Sequence, residues 1–518
     1  MLGQPNTVSR SLLFAWLLCA AHPAAAQQPD PIVSATVSNV TRAESWNYFQ
    51  PVVLPASTLP VGDPDYAFAG DRAELAVSVE GARFDLDGAF NYVRVENLPT
   101  NAIGPGGLGT GAFYFAASGV PYSYQLYTSG LSVRIKAADR RSSVAFGRMP
   151  FSSGSSARTS TPRAVDRVIR ERLASRLVGN FEWSYYQRRF DGVRADLDRG
   201  AWNLTAAAFV PTQGGFEEST NLSMPRVQVA ALEWRLPSSR SELQVFGYGY
   251  RDRRQRTAVV DNTGSPDAPV DITIGTLGAS YARVSPSRSG EWDVVGWGAG
   301  QFGSWYDASH RAGSVAMEGG HRWTHAAMTP WLRAGYLYAS GDGSEHDSVH
   351  GTFFPMLPST RQYVLSSVYS SMNLRDAFAQ LVLEPRRVRA RIEVHKVSVA
   401  SGKDLWYHGS GATASHDRYL GFSGRSAGGA TALGTVLEGA IDVPVMKYWS
   451  INAYAAVMTA GDVAHRSFTP RALPFWSVEN VVRLGKRKGN RKGELKMLRF
   501  PDSLIVEDSA IGRLSDCD

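Results

Sequence analysis

Arginine residues recur in this 518-residue chain within segments where apolar and polar residues alternate. A guanidinium group binds a carboxylate or phosphate through two parallel hydrogen bonds, whereas an ammonium group acts as a point charge. Arginines spaced along a water-filled passage would give successive weak sites to an anionic solute. The candidate anion-binding set comprises Arg148, Arg188, Arg189, Arg194, Arg333, Arg389 and Arg391.

The same arginines also allow a structural interpretation. Inward-facing arginines in a closed sheet commonly pair with inward-facing carboxylates and so stabilise its interior. Asp191, Asp196 and Glu393 are close enough in sequence to neighbouring arginines to form such pairs. Both interpretations stay open for each arginine, and the set as a whole favours a cation-lined passage.

The elements that would position these arginines are β-strands. Between residues 387 and 395, aliphatic side chains at even positions alternate with arginine, glutamate and histidine at odd positions. Such a period of two is typical of strands with one apolar and one polar face. The pattern recurs at residues 82–92, 131–136, 184–197, 202–210 and 332–338.

Composition and turn spacing indicate how these strands are arranged. The mean hydropathy is −0.20 and 19% of residues are charged, too polar for a helical membrane protein. No segment after the N-terminus approaches the roughly 20 apolar residues that a membrane-spanning helix needs. Short polar turns alternate with long Gly/Ser/Asp-rich links, as in an outer-membrane barrel. The expected fold is all-β, a transmembrane antiparallel β-barrel of about 16–18 strands.

The ends of the chain have their own signatures. Residues 1–26 have a charged start, a short apolar run and small residues at Ala24 and Ala26, which predicts a signal peptide and export. We assign residues 27–69 to an N-terminal lead-in and first strand region, 70–484 to the barrel, and 485–518 to a disordered charged tail.

One segment interrupts the strand pattern. Residues 161–179 place Val165, Val168, Ile169 and Leu173 at helical spacing within a basic sequence. The segment is predicted to be a helix. It is either a plug inside the lumen or a helix on a surface loop.

Six sequence motifs stand out between residues 144 and 443. They are VAFGRMPFSSG (144–154), RRFDGVRADL (188–197), RAGYLYASGDGSEHDSVHGTFFPMLP (333–358), MNLRDAFAQLVLEP (372–385), DLWYHGSGA (404–412) and LGTVLEGAIDV (433–443). These motifs resemble the alginate export family of bacterial outer-membrane barrels, and the resemblance covers roughly residues 70 to 484. It implies an 18-stranded barrel whose electropositive lumen, partly gated by loops, passes an anionic polysaccharide out of the cell.

The predicted function is therefore a passive outer-membrane channel for an alginate-like polyuronate. The expected partners are the anionic polysaccharide, outer-membrane lipid and lipopolysaccharide, and a periplasmic scaffold of an export complex. An anion- or oligosaccharide-selective uptake porin is the alternative within the same fold. A secreted soluble β-protein is the remaining non-enzymatic alternative.

Metal, enzyme and nucleic-acid functions have weaker support. Asp342 and Asp347 in the acidic stretch at 340–351 are weak candidates for Ca²⁺ in an outer loop, but their spacing does not match an EF-hand. No cofactor is otherwise expected. Ser410 in HGSGA lacks the strand-to-helix context of a nucleophile elbow, and no phosphate-binding loop or HExxH motif occurs. No compact basic element suggests nucleic-acid binding.

Overall fold

The computed structural model describes most of the chain between residues 31 and 497. The described residues are 31–47, 65–101, 110–154, 161–215, 222–255, 263, 269–359, 368–409, 411–412, 422–468, 471–488 and 496–497. The predicted signal peptide and most of the predicted tail lie outside these ranges.

Twenty-two strands and three helices occur in the described residues. The helices are α1 (Thr110–Ser118), α2 (Arg163–Arg172) and α3 (Asp462–Ser467). The strands are β1 (Ile32–Asn47), β2 (Asp65–Glu80), β3 (Phe84–Glu96), β4 (Tyr122–Lys136), β5 (Ser143–Met149), β6 (Phe190–Asp198), β7 (Asn203–Pro211), β8 (Val227–Pro237), β9 (Ser241–Asp252), β10 (Ile272–Ser287), β11 (Gly290–Trp305), β12 (Ala308–Arg322), β13 (Trp331–Ala339), β14 (Val349–His350), β15 (Leu374–Leu383), β16 (Arg389–Val399), β17 (Leu405–Gly409), β18 (Phe422–Ser426), β19 (Ala432–Met446), β20 (Trp449–Ala460), β21 (Leu473–Lys488) and β22 (Lys496–Met497).

Eighteen of these strands form a closed antiparallel barrel, as predicted. Each barrel strand pairs with the next along the chain, and β21 returns to pair with β1, with Leu484 opposite Val37. Closure leaves no open sheet edge, which is the condition for strands to cross a bilayer. The other four strands are short: β14 adds to β12 in parallel, β17 and β18 pair with each other, and β22 pairs antiparallel with the end of β21.

Strand alternation separates an apolar outer face from a polar inner face. In β3, Phe84, Leu86 and Phe90 are about half exposed on the outside, while Asp85 and Asn91 are buried on the inside. Strand β16 repeats the pattern, with Ile392 outward. The outer face is suited to acyl chains and the inner face to water and charge. The predicted strand faces are confirmed here.

Connections differ in length at the two ends of the barrel. At one end of the barrel the strands are joined by short turns, among them 81–83, 199–202, 238–240 and 447–448. The first strand, β1, begins at this end, and the last barrel strand, β21, ends there. Most connections at the other end are longer, up to the 40-residue link at 150–189. The two-residue link at 306–307 is the exception. In outer-membrane barrels the short-turn end is periplasmic.

The strand predicted at 184–197 is wrong in its first half, because β6 begins only at Phe190. Residues 184–189 turn into the barrel instead. Trp183 and Tyr185, which the alternation would place among lipid-facing aromatic residues, belong to the same inward segment, and Tyr185 is buried. The barrel also extends beyond 70–484 at both ends, from Ile32 to Lys488. Among the described residues, no helix has the length and apolar character needed to span a membrane.

Candidate functional site

The long connection between β5 and β6 enters the barrel and carries α2 with it. We call residues 161–189 the inner segment. Helix α2 buries Val165, Val168 and Ile169. Its last turn carries Arg170 and Arg172, and the negative end of the helix dipole stabilises positive charges at this position. The helix is shorter than the predicted 161–179. It lies within the lumen, as its contacts with wall residues show, so the plug interpretation describes it better than the surface helix.

The carboxylate of Glu318 anchors the inner segment to the barrel wall. Glu318 projects inward from β12 and is buried. Its oxygens lie 2.6 Å from Nε of Arg172, 3.1 Å from Nη2 of Arg176 and 3.1 Å from Nη2 of Arg333. Arg333, on β13, also pairs with Asp293 at 3.1 Å. One wall carboxylate therefore joins a wall arginine to two arginines of the inner segment.

A second ion-pair network holds α2 near the short-turn end. Glu171 accepts from Nη2 of Arg389 at 2.8 Å and from Nε of Arg167 at 3.0 Å. Glu384, just after β15, pairs with Arg167 and with Arg322. Burial alone would raise the pKa of Glu171, but the positive charges of Arg389 and Arg167 outweigh it and hold this pKa at about 2.

The C-terminal part of the inner segment, residues 178–189, contacts the long loops at the end of the barrel opposite the short turns. Val178 bridges to Leu357, and the guanidinium of Arg188 donates to the main-chain oxygens of Leu357 and Ala412, each at 2.9 Å. Burial lowers the pKa of Arg188 to about 9. Arg189 pairs with Glu182 at 3.0 Å. These contacts connect the inner segment to two long loops.

The same two loops are connected to each other through Asp404. Its carboxylate accepts hydrogen bonds from the hydroxyl of Thr352 at 2.6 Å, the amide of Asp342 at 2.8 Å and the hydroxyl of Tyr407 at 2.7 Å. A buried carboxylate with several donors is a strong local anchor. Asp404 therefore joins the two loops where residues 342 and 352 meet residue 404.

Four of the predicted lumen arginines project inward from strands, and each is paired. Arg333 is described above. The other three pairs are Arg194 with Asp196 at 2.8 Å, Arg389 with Glu171 at 2.8 Å and Arg391 with Glu393 at 2.7 Å. Arg188 and Arg189 are inside the barrel too, but on the inner segment rather than on a strand.

Arg148 lies on the other side of the wall. It stands opposite Leu131 of β4, whose side chain is exposed on the outer face, and on the same side of β5 as Phe146. Its guanidinium binds Asp191 at 2.7 and 2.8 Å. Strand alternation is the physical reason that Arg148 does not join the lumen arginines. All three carboxylates considered as structural partners, Asp191, Asp196 and Glu393, form an ion pair.

Sequence reasoning missed Glu318, Arg172 and Arg176. The two arginines are four residues apart on the predicted helix, which places them on neighbouring turns. Glu318 falls at an inward position between Met317 and Gly319. These local signals were present, but nothing local shows that the helix would meet this particular strand.

The two weak candidates for calcium binding, Asp342 and Asp347, each accept a hydrogen bond from a different main-chain amide. The carboxylate of Asp342 accepts from the amide of Gly351 at 2.9 Å, and that of Asp347 accepts from the amide of Val349 at 2.9 Å. Within the described ranges, the group whose potential ligand atoms cluster is Glu393, His395 and Glu438 on the barrel wall.

Comparison with known proteins agrees with this geometry. A family model described as alginate export matches residues 136–475. The chain belongs to the alginate export family. No curated protein matches it.

Solved structures show the same fold at very low identity. Acinetobacter baumannii OccAB1 and Pseudomonas aeruginosa OccK2 (OpdF) each have a TM-score of 0.53 and 8% identity over 88% of this chain, covering 96% and 98% of their own chains. Pseudomonas aeruginosa OpdK with vanillate has a TM-score of 0.50 and 9% identity, covering 87% of this chain and 98% of its own. This member of the alginate export family is thus an outer-membrane β-barrel channel.

Replacing Glu318 by Gln should release the inner segment. Removing one member of a buried ion pair costs about 3–5 kcal/mol, which would shift the docked-to-released ratio by at least about a hundred-fold. We expect higher single-channel conductance in planar bilayers and faster proteolysis within 161–189. Glu96→Gln is the matched control, since Glu96 pairs with Arg94 on the exposed outer face. Equal behaviour of the two variants would contradict the anchoring role of Glu318.

The low pKa of Glu171 predicts how docking of α2 depends on pH. Because this pKa is about 2 in the folded protein and 4.5 ordinarily, the ion pairs contribute fully above pH 4.5 and are lost as the pH falls towards 2. Conductance should therefore be constant between pH 7 and pH 5 and rise below about pH 3. The Glu171→Gln variant should show the higher, low-pH conductance at every pH. A conductance step between pH 7 and 5 that this variant abolishes would refute the assignment.

Replacing Asp404 by Asn should loosen the outer loops. The amide group of Asn would present a donor to one of the groups that now donates to Asp404, which costs about 1–3 kcal/mol. We expect faster proteolysis at residues 340–359 and 401–412 in outer-membrane preparations. Asp347→Asn, at an exposed position of the same loop, should leave the cleavage rate unchanged.

Proposed function

We propose that this channel passes an anionic polysaccharide of the polyuronate class across the outer membrane by passive transport. The observation that carries the proposal is the set of inward arginines on β6, β13 and β16 around an arginine-bearing inner segment. Membership of the alginate export family supports the polymer class. A solved structure of similar fold, Pseudomonas aeruginosa OccK2 (OpdF), is in complex with glucuronate and has a TM-score of 0.50 at 8% identity.

A polyuronate must exchange water around its carboxylates for other partners in a narrow lumen. Guanidinium groups offset that cost by charge-assisted hydrogen bonds. Each of the strand arginines already has a carboxylate partner, but a guanidinium carries five N–H donors, so a sugar carboxylate would bind to donors that the wall carboxylate leaves open. Sharing the guanidinium in this way keeps the ion pair in the wall and favours weak and reversible binding along the path.

Exposure divides the arginines into two groups. The side chains of Arg194, Arg391 and Arg389 are 16%, 13% and 10% exposed, whereas that of Arg333 is fully buried. Only a partly exposed guanidinium can receive a new partner without dismantling the wall. We therefore assign solute contact to the first three residues and a structural role to Arg333.

The alternative is a porin that takes up small anions or oligosaccharides. The observation that favours it is the inner segment, which fills part of the lumen and narrows the route. The similarity of the whole chain to Pseudomonas aeruginosa OpdK, which was solved with the small carboxylate vanillate, also supports an uptake porin. The two functions differ in whether a long polymer occupies the lumen.

Polymer block of ion conductance tests the proposal. Polyuronate added to one side of a planar bilayer should reduce current, and Arg194→Gln should weaken this block about ten-fold, the effect of losing one charge-assisted hydrogen bond. Arg199→Gln is the matched control, because Arg199 pairs with Asp139 in an exposed short turn. Ready passage of small carboxylates without any polymer block would support the uptake porin instead.

A further inference from the structure

A buried group of acidic residues and one histidine lies on the inner wall, on strands separated from β12 by β13. We call Asp376, Glu393, His395 and Glu438 the β16 cluster. They project from β15, β16 and β19, and all four are nearly inaccessible to solvent. Glu393 and Glu438 stand directly opposite each other across β16 and β19. Like charges at such paired positions are destabilising unless a cation lies near them.

The imidazole of His395 is oriented by Asp376. Its Nδ1 lies 3.0 and 3.1 Å from the two carboxylate oxygens of Asp376, so Nδ1–H donates to that carboxylate. In the neutral imidazole this leaves a lone pair on Nε2. A carboxylate that holds the far nitrogen of a histidine in this way is the usual outer contact of a metal-binding imidazole.

The other side of the imidazole meets buried oxygen atoms. Nε2 of His395 lies 3.4 Å from Oε2 of Glu393, and within the described part of the chain neither atom has a hydrogen-bond partner. Oε1 of Glu393 is already engaged by Gln380 at 2.7 Å and Arg391 at 2.7 Å. Nε2 of His395 and Oε2 of Glu393 therefore face each other with no closer partner among the described residues.

The cluster is rich in negative charge. It holds three carboxylates, and Arg391 contacts two of them, at 2.7 Å to Glu393 and 3.4 Å to Glu438. Arg172 also lies nearby, and Glu318 engages it. Around a neutral His395, three carboxylates and one arginine would carry an excess of two negative charges, which is costly at low dielectric constant and which a divalent cation would cancel.

We propose that the β16 cluster binds one divalent transition-metal ion, best matched by Zn²⁺. The ligands are Nε2 of His395 and one oxygen each from Glu393 and Glu438, and these atoms lie within 4.8 Å of one another. Zinc bonds of about 2.0–2.2 Å to nitrogen and oxygen place tetrahedral ligand atoms about 3.3 Å apart. The 3.4 Å between His395 and Glu393 fits that spacing.

The chemistry of the ligands selects the class of metal. A histidine nitrogen with two carboxylates suits Zn²⁺ and its first-row neighbours, whereas Ca²⁺ and Mg²⁺ prefer oxygen ligands alone. Glu438 is oriented for this role by the hydroxyl of Tyr454, which donates to its Oε2 at 2.6 Å. The site differs in place and chemistry from the acidic outer loop that contains Asp342.

The bound ion would fasten β16 to β19 beneath the inner segment. His395 stacks on Phe378 with ring centroids 5.6 Å apart, and the guanidinium of Arg172 lies 4.8 Å above the same ring. A ligated imidazole would therefore fix the surface on which the C-terminal turn of α2 rests. The ion is assigned a structural role in the wall.

Metal titration of the folded barrel tests the site directly. Detergent-solubilised protein, stripped with a chelator and checked for its folded state by heat-modifiable gel mobility, should bind one equivalent of Co²⁺. Binding should give the intense visible absorption of a four-coordinate cobalt–histidine–carboxylate complex, and Zn²⁺ should displace the Co²⁺. Absence of uptake by the folded wild-type barrel would overturn the proposal, leaving a protonated His395 between Asp376 and Glu393.

Variants locate the ion. Glu438→Gln should abolish the cobalt spectrum, and Asp376→Asn should weaken metal binding about 10- to 100-fold, as expected for loss of an outer contact. His310→Gln is the matched control, since His310 is a buried wall histidine on β12 that contacts His350 at 2.8 Å. Wild-type binding by Glu438→Gln, or loss of binding in His310→Gln, would place the ion elsewhere and refute the assignment.

Discussion

The interior of this barrel depends on one carboxylate that binds three guanidinium groups. Glu318 receives Arg333 from the wall and Arg172 and Arg176 from the inner segment, in a setting too buried for water to replace any of them. Unpaired charge is costly there, so Glu318 and the arginines of the inner segment stabilise each other's position. The ion pairs therefore hold the inner segment in the lumen, where it narrows the channel.

The closed sheet makes this arrangement possible. Because every barrel strand is paired on both sides, the wall has no unsatisfied edge, and alternation alone sends bulky apolar side chains to lipid and polar ones inward. Eighteen strands enclose more volume than wall side chains can fill. The inner segment, residues 161–189, enters that volume, and its position is set by the ion pairs of α2 near the short-turn end and by the main-chain contacts of Arg188 with the long loops.

Local pattern was sufficient for the strands and insufficient for the inner segment. The faces of β3 and β16 follow from a period of two, and the short turns follow from their polar residues. Residues 184–189 show the same period of two but form no strand. In this segment the guanidinium of Arg188 donates hydrogen bonds to the main-chain oxygens of Leu357 and Ala412, which are more than 160 residues away in the sequence. The outward position of Arg148 could have been predicted from the sequence, because Arg148 lies on the same side of β5 as the outward Phe146. The ion pair between Arg172 and Glu318 could not have been predicted, because it depends on how a 40-residue connection folds.

Selectivity in such a lumen cannot come from the total of its charges. Within the described residues, buried carboxylates are at least as numerous as buried arginines, and nearly every buried arginine described above has an acidic partner. A permeating anion therefore meets pairs rather than free cations. The distinction that matters is exposure: Arg194 and Arg391 keep part of their surface open to the lumen, whereas Arg333 does not.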